Sequence, residues 1–240
     1  MDRPVARPLY AQVKDSLIKR LVEADWKPGQ ALPNEFALAA EYGVSQGTMR
    51  RALDELAQAN LVVRRQGKGT FVAEHTRERA LFHFLHLETD GGERAQPESR
   101  VLALKSGTPT RAEALRLALP AMARVVRLGR VRLLDGAAAI VERIVLPAAR
   151  FPGLEKMDRT ELPNELYALY QTRWGVSVAR AVERLKAVPA DTEDAGLLGV
   201  KPGAPLLEID RLATALDGRP CELRLSRCLT DRHRYVSEIV

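Results

Sequence analysis

The sequence predicts an α+β protein in two parts, a small helical domain followed by a larger domain built on an antiparallel sheet. Three observations carry this reading. Residues 9 to 74 show helical apolar spacing and then two strand-like runs around a glycine-rich turn. Beyond them, two long strand pairs are each interrupted by Asp-Gly, with only a few helical segments between. Finally, 240 residues that are 46% hydrophobic and 28% charged can bury two cores, which excludes a disordered or fibrous chain.

In the first part, Val13, Leu17 and Leu21, flanked by Ile18 and Val22, form a helical stripe that stops before Lys27-Pro28-Gly29. A short second helix follows, with Asn34 as N-cap, Phe36, Leu38 and Ala39 as apolar contacts, and Gly43 in the left-handed position after its last turn. Only Val44 separates that glycine from Ser45, the cap of a third helix. This helix, Gln46 to Ala59, turns Met49, Ala52, Leu53 and Leu56 inward and Gln46, Gly47, Arg50 and Asp54 outward, and ends at Asn60. Leu61-Val62-Val63 and Thr70-Phe71-Val72 then flank Arg64-Arg65-Gln66-Gly67-Lys68-Gly69, a basic β-hairpin.

The boundary is expected near Thr76 to Ala80, giving domains at 1–75 and 81–240 with a linker at 76–80. In the second domain, Val101 to Leu104 is strand-like and Thr110-Arg111-Ala112-Glu113 has capping-box spacing. Arg124 to Leu134 and Ala137 to Leu146 form one hairpin around Asp135-Gly136; Leu206 to Leu216 and Cys221 to Leu229 form another around Asp217-Gly218. Helical segments at Asn164 to Arg173 and Thr192 to Leu198 lie between them.

Composition narrows the function classes. No apolar run reaches the roughly 18 to 20 residues that cross a bilayer, and Met1-Asp2-Arg3-Pro4 does not open a secretory signal, so a cytoplasmic protein is expected. Cys221 and Cys228 fall in one strand, roughly 23 Å apart at strand rise, which predicts free thiols. His83 and His86, three apart in a strand-like run, would face opposite ways, so no metal site is expected; no cofactor motif and no nucleophile-base constellation is present. The net charge of +6 suggests a polyanionic partner without identifying one. Its local placement says more: Val44 to Val72 holds five basic residues, Arg50, Arg51, Arg64, Arg65 and Lys68, against Asp54 and Glu55.

Two short helices at a tight turn followed by a basic two-stranded wing are the parts of a winged helix-turn-helix, whose third helix enters the DNA major groove. Arg50 can contact guanine through two nitrogens and Gln46 can pair with adenine. Thr48 and the amides around Ser45, Gln46 and Gly47 suit phosphate oxygens, as does Arg51 beside them. Arg64, Arg65 and Lys68 supply charge on the wing, and Gly67 and Gly69 allow its tip to approach the duplex. Pro8-Leu9-Tyr10, Pro28-Gly29, Leu32-Pro33-Asn34-Glu35, Gly43-Val44-Ser45, Thr48-Met49-Arg50 with Ala52-Leu53, and Arg65-Gln66-Gly67-Lys68-Gly69-Thr70-Phe71-Val72 resemble, in order, the N-terminal domain of GntR-family bacterial transcription regulators. The family often has Ser at Asn34 and Arg at Gln46; the second departure bears on the operator sequence, not on the binding mode.

GntR-type regulators differ in their C-terminal domains. The 165 residues after position 75 are too few for the aminotransferase-like class, and the hairpins argue against the all-helical class. Residues 81 to 240 instead resemble the HutC-type sensor called UTRA, similar in fold to chorismate lyase. The similarity rests on Ser99-Arg100-Val101-Leu102, Arg130-Val131-Arg132, Asp135-Gly136, Glu142, Pro147, Leu166-Tyr167, Pro202-Gly203-Ala204-Pro205-Leu206-Leu207 and Arg219-Pro220 with Glu222. The resemblance implies a homodimer on a palindromic operator and a small-molecule effector contacted by Arg130, Arg132, Glu142, Tyr167 and Glu222. Two guanidiniums beside a carboxylate suit an anionic effector bearing a hydroxyl or amine. Glu142 shares strand parity with Ala138, Ile140, Ile144 and Leu146, and a carboxylate on an apolar face needs a partner.

Hairpin geometry decides whether these groups meet. A two-residue Asp135-Gly136 loop pairs Leu134 with Ala137 and puts Arg130 and Arg132 on the face opposite Glu142; a three-residue loop, Leu134-Asp135-Gly136 with Gly136 in a bulge, pairs Leu133 with Ala137 and puts all three on one face. The expectation is the three-residue loop. The implied function is a transcription regulator, a repressor in the commoner family pattern, and not an enzyme. The alternatives are an enzyme of chorismate-lyase-like fold carrying a DNA-binding domain, and a DNA-binding protein without an effector.

Overall fold

The computed structural model describes residues 7–74, 87–89, 91–92 and 97–237. The expected linker at Thr76 to Ala80, and His83 and His86, lie outside the described residues. The chain divides into two compact units, Met1–Glu74 and His75–Val240.

The first unit contains α1 (Leu9–Val22), α2 (Glu35–Glu41), α3 (Gln46–Gln58), β1 (Val62–Arg65) and β2 (Gly69–Val72). Val13, Leu17 and Leu21 of α1 pack with Leu38 and Ala39 of α2 and Met49, Ala52, Leu53 and Leu56 of α3 as a buried core. Asn34 Oδ1 caps α2 by accepting from the Ala37 amide at 2.9 Å. Gly43 takes the left-handed conformation expected of it, at φ +62°, and Asn60, expected to end α3, is left-handed as well, at φ +58°. Phe36 departs from expectation: it is 70% exposed, because α2 is only seven residues long and turns Leu38 and Ala39, not Phe36, to the core.

The second unit is a six-stranded antiparallel sheet with helices on both faces. Its strands are β4 (Pro97–Gly107), β5 (Val125–Leu134), β6 (Ala137–Pro147), β7 (Val178–Pro189), β8 (Pro205–Ala215) and β9 (Pro220–Cys228), in the order β4-β5-β6-β9-β8-β7. A separate pair joins β3 (Leu87–Thr89) to β10 (His233–Tyr235). Helix α4 (Arg111–Arg116) starts at the predicted capping box, α5 covers Leu166–Trp174, and α6 covers Thr192–Leu198. Three 3₁₀ turns, Ala148–Arg150, Leu154–Lys156 and Arg159–Glu161, precede α5. Cys221 and Cys228 are free and buried at the two ends of β9.

Strand β7 was not legible as a strand. Its sequence, VARAVERLKAVP, is rich in helix-forming residues, and it becomes a strand by pairing along its length with β8 at the sheet edge.

The faces differ in chemistry. On one, Leu128, Ile144, Phe151, Tyr167, Tyr170 and neighbours form an apolar cluster. A second cluster, Leu134, Ile140, Ile209 and Cys228 with Leu87, occupies the other end of that face. The opposite face carries α6, held by Asp194, which is fully buried and accepts from Arg143 Nη2 at 2.7 Å and Arg227 Nη1 at 2.6 Å.

The β5–β6 hairpin overturns one expectation while keeping its consequence. Leu134 pairs with Ala137, so the loop is the two-residue Asp135-Gly136, both residues having positive φ, +51° and +78°. This is the geometry whose twist matches the flanking strands. Leu133 then pairs with Ala138 but Arg132 pairs with Ile140, leaving Ala139 as a one-residue bulge. The bulge reverses the parity once more, so Arg130 stands opposite Glu142 on one face. It also removes Ala138 from Glu142's face: Ala138 packs with Val131 and Val141 on the other side.

Two glycines make opposite predictions. Gly136→Val places a branched residue at φ +78° and should lower the stability of the C-terminal unit in urea denaturation by about 1–2 kcal/mol. Gly196 lies inside α6 with open space for 4 Å around the place a Cβ would take, so Gly196→Ala should raise stability by about 0.5–1 kcal/mol.

Candidate DNA interface and effector site

Helix α3 begins at Ser45, whose Oγ accepts from the Thr48 amide at 3.2 Å and lies 2.9 Å from Thr48 Oγ1. The cap satisfies Thr48 and leaves the Gln46 and Gly47 amides at the helix start for an outside acceptor. Ser45, Gly47, Arg50 and Arg51 are exposed, while Gln46 and Thr48 are half-buried. On the wing, Arg64, Arg65, Gly67, Lys68 and Gly69 are all exposed. Gly67 and Gly69 have φ +69° and +108°, the backbone that a tight basic tip requires.

Sequence reading did not reveal how these arginines are held. Glu35, at the start of α2, accepts from Arg50 Nε at 3.0 Å with one oxygen and from Arg64 Nη1 at 2.9 Å with the other. Arg64 also reaches Asp54 at 2.7 Å and donates to the Arg50 carbonyl at 3.3 Å, bracing the wing against α3. Burial alone would raise the Glu35 carboxyl, but its hydrogen bonds from Arg50 and Arg64 hold it below its usual value. Arg51 lies over the Tyr10 ring at 3.9 Å and Arg65 over Phe71 at 4.5 Å, so both cations are stacked at the surface.

In the second unit, a band of charge crosses the sheet face between its two apolar clusters. Arg130 is 1% exposed, Arg132 7% and Glu142 3%. Arg130 Nε donates to Glu142 in a buried ion pair, and its Nη1 donates to the Asn164 carbonyl at 3.1 Å. Arg224 Nη1 approaches the other Glu142 oxygen at 3.4 Å, as does Ser226 Oγ at 3.4 Å. The remaining expected contacts form a linked cluster. Glu222 is fully buried and accepts from Tyr167 at 2.9 Å, Tyr170 at 2.8 Å, and Arg224 at 3.0 and 2.8 Å. Thus Tyr167 and Glu222 pair with each other, and Arg224 joins them to Glu142.

Sequence reading missed Arg224, Ser226, Tyr170 and Arg211. The signal for the first two was present: Glu222, Arg224 and Ser226 alternate with apolar residues along β9 and so share a face. Arg211 pairs in register with Arg224, and its charge is met by Glu183, which also accepts from the Tyr235 hydroxyl on β10.

The balance of this band is unequal. Arg130, Arg211 and Arg224 each pair with a carboxylate, whereas Arg132 forms no ion pair among the described residues and its buried Nε has no hydrogen-bond partner. Burial, with Arg130 and Arg224 nearby, pulls the Arg132 guanidinium down to about 9 against the opposing charges of Glu142 and Glu165. Arginine stays protonated in proteins, so the pull marks an unfavourable place for a cation. At neutral pH the group is charged in both the folded and unfolded chain, and the folded state bears that penalty in full. Glu142 shows the reverse: burial would raise its carboxyl, but Arg130, Arg224 and Arg132 hold it far below the usual carboxylate range. The arrangement offers an anion the unpartnered Nε edge of a guanidinium beside a carboxylate fixed in its ionised, accepting form.

Comparison with known proteins agrees with both halves. Residues 9–72 match the model of the bacterial regulatory proteins of the gntR family, and residues 92–234 match the UTRA domain. The chain is 27% identical to the HTH-type transcriptional repressor NagR of Bacillus subtilis, over 95% of this chain and 93% of that one. It is 32% identical to the histidine utilization repressor of Pseudomonas putida, over 85% of this chain and 81% of that one. Among solved structures, the ligand-binding domain of a GntR-family transcriptional regulator from Bordetella bronchiseptica aligns at TM-score 0.62 and 33% identity, covering 66% of this chain and 98% of that one. PhnF from Mycobacterium smegmatis aligns at TM-score 0.57 and 27% identity, over 95% of this chain and 99% of that one. With its exposed capped helix, its basic wing and its buried charged band, the chain belongs to the GntR family of HutC type, the DNA-binding transcription regulators whose UTRA domain senses a small molecule.

Proposed function

We propose that this chain is a cytoplasmic repressor that binds a palindromic operator as a homodimer and releases it when an anionic metabolite enters the charged band. Residues 1–75 act as the DNA reader, 76–80 as the joint, and 81–240 as the sensor and dimerisation domain. The observation that carries the effector reading is Arg132, a buried guanidinium that the protein itself leaves unpaired. Relatives point the same way: they are named for the utilization of histidine and fructoselysine and for the transport and metabolism of mannosyl-D-glycerate. All three compounds carry a carboxylate. Binding fits the band better than catalysis does, because Glu142 and Glu222 are each saturated by guanidinium or hydroxyl donors.

On the DNA side, Gln46 and Arg50 read the groove, with the helix-start amides, Thr48, Arg51, Arg65 and Lys68 on phosphates. Arg64 serves mainly as the brace that keeps the wing on α3. Coupling runs from the band through Arg211 and Glu183 to Tyr235 on β10, which pairs with β3, the first described strand after the segment joining the two units. An effector that neutralises Arg132 acts by binding one arrangement of the dimer more tightly than the other.

Three variants test this reading. Arg50→Ala should weaken operator binding by about 10- to 100-fold, the worth of one bidentate base contact, measured by fluorescence anisotropy. Arg132→Ala should leave operator affinity unchanged but abolish thermal stabilisation by a panel of carboxylates and sugar phosphates, together with operator release by any compound that stabilises the wild type. Tyr235→Phe should keep both operator and ligand affinity yet reduce the shift that one causes in the other. An Arg132→Ala protein that still responds to the ligand would remove the effector site.

A further inference from the structure

We propose that Glu35 determines operator specificity: it orients Arg50 for base contact and withholds the charge of Arg50 and Arg64 from random DNA. The inference rests on Arg50 being a base-reading residue. Two observations carry it.

The first is which nitrogens are engaged. Glu35 takes Arg50 through Nε at 3.0 Å, and the two terminal nitrogens of Arg50 make no hydrogen bond to any described residue. Those terminal nitrogens are the pair that reaches guanine O6 and N7, and a planar guanidinium gripped at Nε has its fork direction fixed. The Arg50 side chain is 56% exposed while Glu35 is only 18% exposed, so a half-shielded carboxylate steers an outward-facing reader. Arg64 differs, since both its terminal nitrogens are occupied, by Glu35, Asp54 and the Arg50 carbonyl.

The second is the charge balance. Arg50 and Arg64 are matched by Glu35 and Asp54, so this cluster presents no net charge to a phosphate backbone. Binding to random DNA is driven by released counterions and requires net cations. Among the arginines and lysine of α3 and the wing, that leaves Arg51, Arg65 and Lys68. At an operator, Arg50 gains base contacts that compete with nothing, because Glu35 grips only Nε. On random sequence the same arginine has no matching base edge, and Glu35 continues to neutralise it.

The test measures affinity for an operator, selected by the wild-type protein from a randomised duplex pool, and for a random duplex of equal length, across salt concentrations. Glu35→Gln should tighten random-DNA binding by about three- to tenfold and steepen its salt slope by about 1. The same substitution should weaken operator binding by about tenfold, through loss of the fixed fork. In an Arg50→Ala background, Glu35→Gln should no longer weaken operator binding. Glu35→Asp, which keeps the charge but retracts the carboxylate, should weaken operator binding without tightening random-DNA binding, and it substitutes for Glu35→Gln if that variant does not fold. Equal gains on both DNAs, equal losses on both, or no change would each overturn the inference. If Arg50→Ala itself leaves operator affinity at the wild-type value, the base-reading assignment of Arg50 fails instead.

Discussion

The charged band in the second unit can be buried only because its carboxylates and guanidiniums meet in register, and that register hangs on one extra residue in β6. A regular two-residue hairpin would set Arg130 and Glu142 on opposite faces of the sheet, each a buried charge without its partner. Ala139, bulged between Ala138 and Ile140, returns Glu142 to the arginine face. The rest follows from that placement. Glu142 opposite Arg130 is also in reach of Arg224; Arg224 bridges to Glu222; Glu222 gathers the hydroxyls of Tyr167 and Tyr170 from α5. Helix α5 is thus fixed to the sheet by polar contacts as well as by the aromatic cluster in which Phe151 lies 4.7 Å from Tyr170.

A buried network of this kind is weak evidence for stability, since well-packed apolar residues often do as well. Its value lies in where it is incomplete. Of four buried arginines, Arg130, Arg211 and Arg224 form ion pairs with Glu142, Glu183 and Glu222, while Arg132 forms none and has only the more distant charges of Glu142 and Glu165. The first unit uses charge in the opposite way. There Glu35 and Asp54 cancel Arg50 and Arg64 at the surface, so recognition depends on the direction of a guanidinium more than on the amount of charge. The total of +6 reports neither arrangement.

Local signals carried much of this. Caps at Asn34, Ser45 and Thr110 are set by a few adjacent residues, and each forms with the chemistry its sequence implies, whereas the loop length at Asp135-Gly136 did not follow from its residues. The inward residues of α3 follow from period alone. What could not be read was non-local. The bulge at Ala139 has no residue signature, because three consecutive alanines can bulge at any of several positions; its location is selected by the burial of Glu142. Strand β7 owes its state to pairing with β8. Glu35 was visible as part of a motif, but its grip on two arginines joins α2, α3 and the wing across 15 and 29 residues. Phe36 was misplaced because a two-turn helix shows too little periodicity to orient it.

The buried guanidiniums of the band are ion-paired at Arg130, Arg211 and Arg224 but not at Arg132. Urea denaturation of Arg130→Met and Arg132→Met, in buffer free of multivalent anions, tests this most directly. Removing Arg130 deprives Glu142 of its main partner and should destabilise the protein by about 3–5 kcal/mol, the cost of breaking a buried pair. Removing Arg132 deletes an unpaired buried cation and should leave stability unchanged or raise it. Comparable destabilisation by both substitutions would mean that Arg132 is neutralised within the protein, and would contradict the account.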